Sequence, residues 1–153
     1  QKKFPGRHYI ILDNNQHGLN LFAQNYGQRK NVIVKNHNLL TPITQDFNAD
    51  LVFSVGLIEH FSWEETLSVI TRHFDCVRPG GVVFLIFPTP TFLYYTVRFL
   101  SELLRMWKFH DETPLHLSDI IQASKKHGEV LFSGINWGCF LTQGVVVVRA
   151  EGK

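Results

Sequence analysis

Two neighbouring segments, each a hydrophobic run that ends in a small polar loop, restrict the fold of this chain more than any other feature. The first, DLVFSVGLIEHF, covers residues 50–61, and the second, VRPGGVVFLIFPTP, covers residues 77–90. Runs of this kind are typical of parallel strands that are buried on both faces. Between them, Ser62 and Glu65 form a capping-box pattern, and apolar residues then recur every three or four positions. This order predicts a strand, an amphipathic helix over 63–77 and a second strand.

The same alternation extends over the rest of the chain. Apolar runs predict further strands at 8–13, 31–36, 129–136 and 143–150, and helical spacing predicts helices at 17–27, 91–107 and 117–128. Strands that alternate with helices and end in a strand pair predict a doubly wound α/β sheet, mostly parallel, with one antiparallel strand at its edge. The length of 153 residues fits a single domain, 1–153, with a core of its own.

Composition argues against several classes of function. The net charge is +2 and the basic residues are scattered, whereas a nucleic-acid surface needs clustered Lys and Arg. No run reaches the roughly 18 apolar residues of a membrane span, and the first ten residues lack the pattern of a signal peptide. Cys76 and Cys139 are far apart and have no metal-binding spacing. We therefore expect reduced thiols and a cytoplasmic location.

From about residue 8 to residue 150, the chain resembles the class I S-adenosylmethionine-dependent methyltransferases. DLVFSVGLIEHF resembles the fourth strand of that family, VRPGGVVFLIFPTP resembles its Pro-Gly-Gly turn and fifth strand, and the final strand pair resembles its sixth and seventh strands. The family ends its second strand in an acidic residue, as Asp13 does here. It ends its third strand in a polar residue, usually Asp, where this chain offers Asn38. The resemblance implies a Rossmann-like sheet and S-adenosylmethionine as cofactor.

The first strand of the family and its glycine-rich loop have no obvious counterpart. They should precede HYIILD, yet only seven residues lie there, with Gly6 as the single glycine. Without that strand, two others keep unpaired backbone groups, each of which costs about 1–3 kcal/mol where it is buried. Three explanations stay open: an N-terminally truncated chain, which we favour, direct pairing of the flanking strands, or a second chain in the gap, as in a homo-oligomer. A degenerate first strand within IILDNNQHG is a weaker alternative.

The resemblance also implies a set of cofactor-binding residues. The nucleoside would be held by Asp13, Asn14, Asn38 and Leu39, and the cleft would be lined by Val55, Gly56 and Leu57. The chemistry agrees at Asp13, because a carboxylate at the end of a strand accepts hydrogen bonds from both ribose hydroxyls. Asn38 offers a donor and an acceptor for the adenine edge. The alternative role of Asp13 is that of a turn residue and helix cap.

A second set of residues is expected to face the methyl acceptor. His60 is the candidate general base, and its alternative role is a hydrogen bond to the loop backbone. The substrate pocket would include Pro88, Thr89, Tyr94 and Tyr95, unless the 91–107 helix covers the sheet or pairs with a second subunit. A further group, Glu59, His60, His110, Asp111 and His116, lacks compact ligand spacing, so we expect dispersed residues and no metal.

These observations predict S-adenosylmethionine-dependent methyl transfer to a small-molecule acceptor. The main alternative is a truncated or non-catalytic Rossmann-like scaffold that binds no cofactor, because the glycine loop is missing. An NAD(P)-binding oxidoreductase is a weaker alternative, since Asp13 also suits a nicotinamide-binding fold. Against it, the chain lacks the Tyr-x-x-x-Lys pair of short-chain dehydrogenases: Arg98 follows Tyr94 by four residues, and Phe99 follows Tyr95.

Overall fold

The computed structural model describes residues 6–27, 29–138 and 141–152. Cys139 lies outside these ranges, and Cys76 is buried. The chain divides into two compact units, residues 1–42 and 43–153, and each unit is described by itself. Within the described ranges, every helix is too short or too polar to cross a membrane.

The first unit is a β-α-β arrangement with a parallel strand pair. Strand β1 is Tyr9–Asp13, helix α1 is Gln16–Tyr26, and strand β2 is Val32–Asn36. The register of the pair aligns Tyr9 with Val32 and Asp13 with Asn36, so both strands end at the same level. Helix α1 begins at its cap Asn15, whose side chain accepts the N–H of Gly18, which satisfies one of the orphan donors of the first turn.

The second unit contains four strands and three α-helices within its described residues. In chain order these are β3 (Ala49–Val55), a 3-10 helix (Ile58–His60), α2 (Trp63–Cys76), β4 (Val77–Pro88), α3 (Phe92–Leu103), α4 (Leu117–Ser124), β5 (Gly128–Asn136) and β6 (Gln143–Ala150). The strands lie in the order β3-β4-β6-β5, with β3 parallel to β4 and β6 antiparallel to both of its neighbours. The predicted antiparallel terminal strand is thus confirmed, but it lies inside the sheet and not at its edge.

The core of the second unit lies on one face of its sheet. On this face Val83 aligns with Val148 and Leu85 aligns with Val146, and all four side chains are fully buried. Helices α2 and α4 contact this sheet and each other, so they cover the same face. Burial of each such side chain stabilises the fold by about 1.5–3 kcal/mol. The opposite face of β3 is left open, and it exposes Phe53 at 65%.

The strand partners at the edges of both sheets test the explanations for the missing first strand. Among the described residues, β1 pairs only with β2, and β3 pairs only with β4. Neither sheet therefore contains a strand in the place that the first strand of the resembling family would take. Direct pairing of the two flanking strands, one of the explanations left open by the sequence, is wrong.

Helix α3 differs from its prediction in length and in the face that it buries. It ends at Leu103 and not at residue 107, because Arg105 takes a left-handed conformation with φ of 54°. Leu100 and Leu104, which share the apolar side of the predicted helix, are 50% and 67% exposed. The buried side chain of the helix is Tyr94, with 0% exposure. The apolar pattern therefore identified the helix but not the face that packs.

The buried imidazole of His73 makes a contribution to stability that acid removes. Its side chain is 4% exposed, and burial lowers its pKa below the ordinary value of 6.5, against the opposing hydrogen bond to the carbonyl of Val69. The unfolded chain therefore takes up a proton near pH 6.5 that the folded chain resists. The stabilisation is present above that pH and is lost as the pH falls below it, with a slope of at most about 1.4 kcal/mol per pH unit for one group.

Urea unfolding at pH values between 7.5 and 5.5 tests this prediction. We expect the slope of the free energy of unfolding against pH to be more positive in the wild type than in His73→Gln, because Glu59, whose raised pKa works in the opposite direction, contributes equally to both. His110→Gln, which changes an exposed imidazole, should keep the wild-type slope. Equal slopes in the wild type and His73→Gln would contradict the prediction.

Candidate functional site

The predicted nucleoside-binding residues of the first unit lie at the carboxyl ends of β1 and β2. Asp13 is exposed, and its Oδ1 accepts the N–H of Asn15 at 2.9 Å, so one carboxylate oxygen shapes the turn into α1. The helix cap is Asn15 and not Asp13. Asn14 is also exposed, and its carbonyl accepts a hydrogen bond from Asn36 at 3.4 Å.

The polar residue that ends β2 is Asn36, where the predicted strand 31–36 also ends, and Asn38 lies two residues further along the chain. Asn36 lies opposite Asp13 in the parallel register, and its Nδ2 donates to Oε1 of Gln16 at 3.0 Å. Asn38 lies in the following loop, where its Oδ1 accepts the N–H of Leu40 at 3.0 Å. Leu39 beside it is half-buried.

In the second unit, the loop after β3 begins with a sharp turn. Val55 is 55% exposed at the end of the strand, and Leu57 is half-buried. Between them Gly56 has φ of +64°, a conformation that strains any residue with a Cβ. Its N–H donates to the carbonyl of Ile86 at 2.9 Å, so the turn stays attached to β4.

The 3-10 helix that follows this turn is held in place by helix α2. Ser62 accepts the N–H of Glu65 at 3.4 Å, and the carboxylate of Glu65 accepts the N–H of Ser62 at 3.0 Å, so the predicted capping box is confirmed. The hydroxyl of Thr66 donates to the carbonyl of Ile58 at 2.9 Å inside the core. These bonds fix the positions of the next two residues, Glu59 and His60.

Four side chains meet beside this loop: Glu59, His60, Asp111 and Glu112, here called the acid–histidine cluster. Nδ1 of His60 lies 2.9 Å from Oδ2 of Asp111, and its Nε2 lies 4.0 Å from Oε1 of Glu59. One ligand atom from each of Glu59, His60 and Glu112 lies within 4.8 Å of the other two. The expectation that Glu59, His60 and Asp111 are dispersed is therefore wrong.

Glu59 has the most unusual environment in the cluster. Its side chain is 1% exposed, and its Oε2 has no hydrogen-bond partner within the described part of the chain. Burial raises the pKa of Glu59 to about 7, and the carboxylates of Glu112 and Asp111 add to the rise. Its own backbone N–H and His60 act in the opposite direction. At neutral pH, this buried carboxyl is therefore divided between its charged and neutral forms.

Helix α3 supports the other side of the cluster. The hydroxyl of Tyr94 donates to Oε1 of Glu112 at 2.5 Å, and burial and this bond raise the pKa of Tyr94, so the hydroxyl keeps its proton. Arg98 donates to the Tyr94 hydroxyl at 3.2 Å and to the carbonyl of Glu112 at 3.0 Å. Its Nε donates to the carboxylate of Glu102 at 2.9 Å.

The segment that carries Asp111 and Glu112 is fastened to the ends of β3 and β4. The N–H of Thr113 donates to the carbonyl of Glu59 at 3.0 Å, and the N–H of Leu115 donates to the carbonyl of Pro88 at 2.9 Å. The hydroxyl of Thr89 donates to the carbonyl of Leu115 at 3.0 Å. Backbone bonds between residues distant in sequence thus bring the acidic segment to the loop after β3.

Three of the four predicted acceptor-binding residues are buried. Pro88 and Thr89 pack beneath the fastened segment, and the hydroxyl of Tyr94 is bonded to Glu112. Tyr95 is 54% exposed, and its ring meets that of Tyr94 edge to face at 5.6 Å. Contact of these residues with an acceptor stays a prediction, and Tyr95 is the residue among them with the most open surface.

Comparison with known proteins identifies the fold. No protein-family model matches the sequence, and no curated protein matches it. Among solved structures, the N-methyltransferase NodS from Bradyrhizobium japonicum, in complex with S-adenosyl-L-homocysteine, has a TM-score of 0.70 at 10% identity over 94% of this chain. An O-methyltransferase family protein from Burkholderia thailandensis has a TM-score of 0.71 at 16% identity over 99%. A putative methyltransferase from Thermobifida fusca has a TM-score of 0.74 at 14% identity over 99%.

The chain therefore has the Rossmann-like fold of the class I S-adenosylmethionine-dependent methyltransferases, as the resemblance of its motifs implied. It spans only part of these proteins: 66% of NodS, 46% of the Burkholderia protein and 66% of the Thermobifida protein. At identities of 10–16%, the structural match establishes the fold alone, and function has to be argued from the residues of the site.

From the geometry of the turn at Gly56, we predict that a side chain there would crowd Glu59 and destabilise the fold. A Cβ at this position would lie 3.3 Å from Oε1 of Glu59, and the positive φ adds strain of about 1–2 kcal/mol. We expect Gly56→Ala to lower the free energy of unfolding by about that amount, measured by urea titration. Gly152→Ala is the control, because its Cβ would make only an ordinary contact of 4.0 Å with Pro79. Similar stabilities of the two variants would contradict the prediction.

Proposed function

We propose that this chain binds S-adenosylmethionine and takes part in methyl transfer to a small-molecule acceptor. The observation that carries the proposal is the fold, which is shared with solved methyltransferases, one of them in complex with S-adenosyl-L-homocysteine. The identity of the acceptor, and whether an oxygen, nitrogen or carbon atom is methylated, are left open.

The residues at the ends of β1 and β2 fit the nucleoside part of this cofactor. Asp13 is exposed, and its carboxylate accepts one hydrogen bond from the described part of the chain, that of Asn15, so the side chain suits the ribose hydroxyls as well. Asn14, Asn38 and Leu39 follow the strand ends and are proposed to complete this part of the site. Asn36 joins the proposal because it lies opposite Asp13 in the strand pair.

Residues of the second unit are proposed to line the cleft and to serve the acceptor. Val55, Gly56 and Leu57 lie at the carboxyl end of β3, where open α/β sheets bind ligands. The cofactor supplies a methyl group on a sulfonium, and an in-line displacement of that kind depends mainly on how the two reactants are held. These residues would hold the reactants, with Tyr95 on the acceptor side.

His60 is proposed as the residue that takes a proton from the acceptor. Its Nδ1 faces the carboxylate of Asp111 at 2.9 Å, and an N–H at Nδ1 would donate to it. Nε2 then carries the lone pair, as a proton acceptor requires. The imidazole is partly exposed, with 27% of its side chain open to solvent, so a small molecule can reach it. Asp111 is in this scheme a positioning residue.

The competing proposal is a scaffold that keeps the fold but binds no cofactor. It is supported by the sheet edges, since neither β1 nor β3 has a second partner among the described residues. The strand and glycine loop that would approach the methionine part of the cofactor have no counterpart there. Binding of the product, S-adenosylhomocysteine, separates the two proposals without knowledge of the acceptor.

Calorimetric titration of the purified chain with S-adenosylhomocysteine is the decisive experiment. We expect saturable binding that is weakened about tenfold or more in Asp13→Asn, because a charged acceptor is replaced by a neutral one. Asn at this position still offers an oxygen to the N–H of Asn15, so the turn into α1 should persist. Asp46→Asn, which changes an exposed carboxylate of a loop, is the matched control.

The outcomes of the titration are distinct. Binding that depends on Asp13 but not on Asp46 supports methyl transfer. A folded chain that binds no S-adenosylhomocysteine supports the scaffold, and saturable binding of NAD in its place would favour an oxidoreductase.

A further inference from the structure

The acid–histidine cluster contains more carboxylates than cationic groups that could balance them. Three carboxylates, those of Glu59, Asp111 and Glu112, surround one imidazole, that of His60. The guanidinium of Arg98 lies beside the cluster, but it donates to Glu102, to the Tyr94 hydroxyl and to a backbone carbonyl. Like charges this close repel one another unless a proton or a cation lies between them.

We propose that Glu59, Nε2 of His60 and Glu112 form a binding site for one divalent cation. The ligand atoms of the three residues lie within 4.8 Å of one another. Two ligands of one Zn²⁺, each about 2.1 Å from the ion, are separated by roughly 3.4 Å in a tetrahedral site. The cluster therefore needs only small side-chain rotations to close on an ion, and water would supply the remaining ligands.

The buried carboxylate of Glu59 is an independent indication of a cation site. Its side chain is 1% exposed, and its Oε2 has no partner within the described residues, although buried polar atoms are nearly always hydrogen-bonded. Its other oxygen faces Nε2 of His60 at 4.0 Å, so the carboxylate points into the cluster. A cation would satisfy it without further burial of polar groups.

The hydrogen bonds around the cluster match those that support metal ligands in proteins. A histidine that binds a metal usually donates its second ring N–H to a carboxylate, which fixes the tautomer and the ring orientation. Asp111 is placed to accept such a bond from Nδ1 of His60. Glu112 is fixed in a similar way by the hydroxyl of Tyr94. Two of the three proposed ligands thus already have partners that orient them.

The ligand set indicates the kind of cation. One imidazole nitrogen and two carboxylate oxygens suit Mn²⁺ or Zn²⁺, whereas Mg²⁺ and Ca²⁺ prefer oxygen ligands alone. The site itself does not depend on the proposed function, but its role does. If the chain transfers methyl groups to a hydroxyl, a cation here would polarise the acceptor oxygen and lower the pKa of the hydroxyl.

Titration of the chain with Mn²⁺ tests the site, and binding is measured as the loss of the electron paramagnetic resonance signal of the free ion. We expect the wild type to bind one Mn²⁺ per chain. The affinity should be at least tenfold lower in Glu59→Gln and in Glu112→Gln. Glutamine keeps the size of each side chain, and circular dichroism would verify that both variants are folded. Glu64→Gln is the matched control, because Glu64 is an exposed glutamate of α2 near the same loop. Zn²⁺ should displace the bound Mn²⁺.

Each outcome decides the proposal. Binding that is lost in both cluster variants and kept in Glu64→Gln supports it. No saturable binding up to millimolar Mn²⁺, or equal affinities in all variants, overturns it. The titration contains neither S-adenosylhomocysteine nor an acceptor, so a failure of the cation site and a failure of the proposed methyl transfer are separate results.

Discussion

The pairing of β4 with two strands of opposite direction is the constraint on which the second unit depends. It runs parallel to β3 and antiparallel to β6, and its alternate side chains Leu85 and Phe87 are fully buried. Since side chains alternate between the two faces of a sheet, a slip of one residue in either pairing would turn this buried set outward. The register therefore fixes the ends of β3 and β4 side by side. The loop after β3 starts from one of these ends, and residues 111–115 are hydrogen-bonded beside them, which brings together the acid–histidine cluster.

The cluster itself rests on a carboxylate that the fold buries at a cost. A rise of the pKa of Glu59 from an ordinary 4.5 to about 7 corresponds to roughly 3 kcal/mol against its charged form. An apolar or amide side chain in the same place would avoid this cost. The surrounding bonds, from Thr66 to Ile58 and from Thr113 to Glu59, are what hold the residue there. Buried carboxyl groups with a perturbed pKa are common at catalytic and binding sites.

Local sequence patterns predicted the features that depend on neighbouring residues. The capping box of Ser62 and Glu65, the helix that follows it and the final strand pair are all present, because each depends on residues close in sequence. The predicted strand 31–36 ends at Asn36, as β2 does, but the resemblance assigned the role of the strand-end residue to Asn38, two residues further on. Strand ends of this kind carry the proposed site, so Asn36 joins Asn38 as a candidate there.

The cluster was missed for a different physical reason. His60 and Asp111 are 51 residues apart, and the contact exists because the backbone of Thr113 bonds to that of Glu59. Spacing rules for metal ligands find compact motifs on one helix or loop, and they do not see ligands that long-range packing brings together. A usable signal was the acidic and histidine-rich stretch at 110–112 beside the aromatic helix, but it did not reveal its partner.

One nitrogen atom connects the two proposals for the second unit. Nε2 of His60 can accept a proton from an acceptor or bind a cation, but it cannot do both at once. With the ion bound, the loss of a hydroxyl proton would depend on the ion's field, and His60 would act as a ligand oriented by Asp111. Without it, the imidazole would be the base, and the buried Glu59 beside it would keep its unsatisfied oxygen. The first case accounts for this buried carboxylate, whose Oε2 has no partner within the described residues, because an ion compensates the charge that a free histidine base leaves uncompensated.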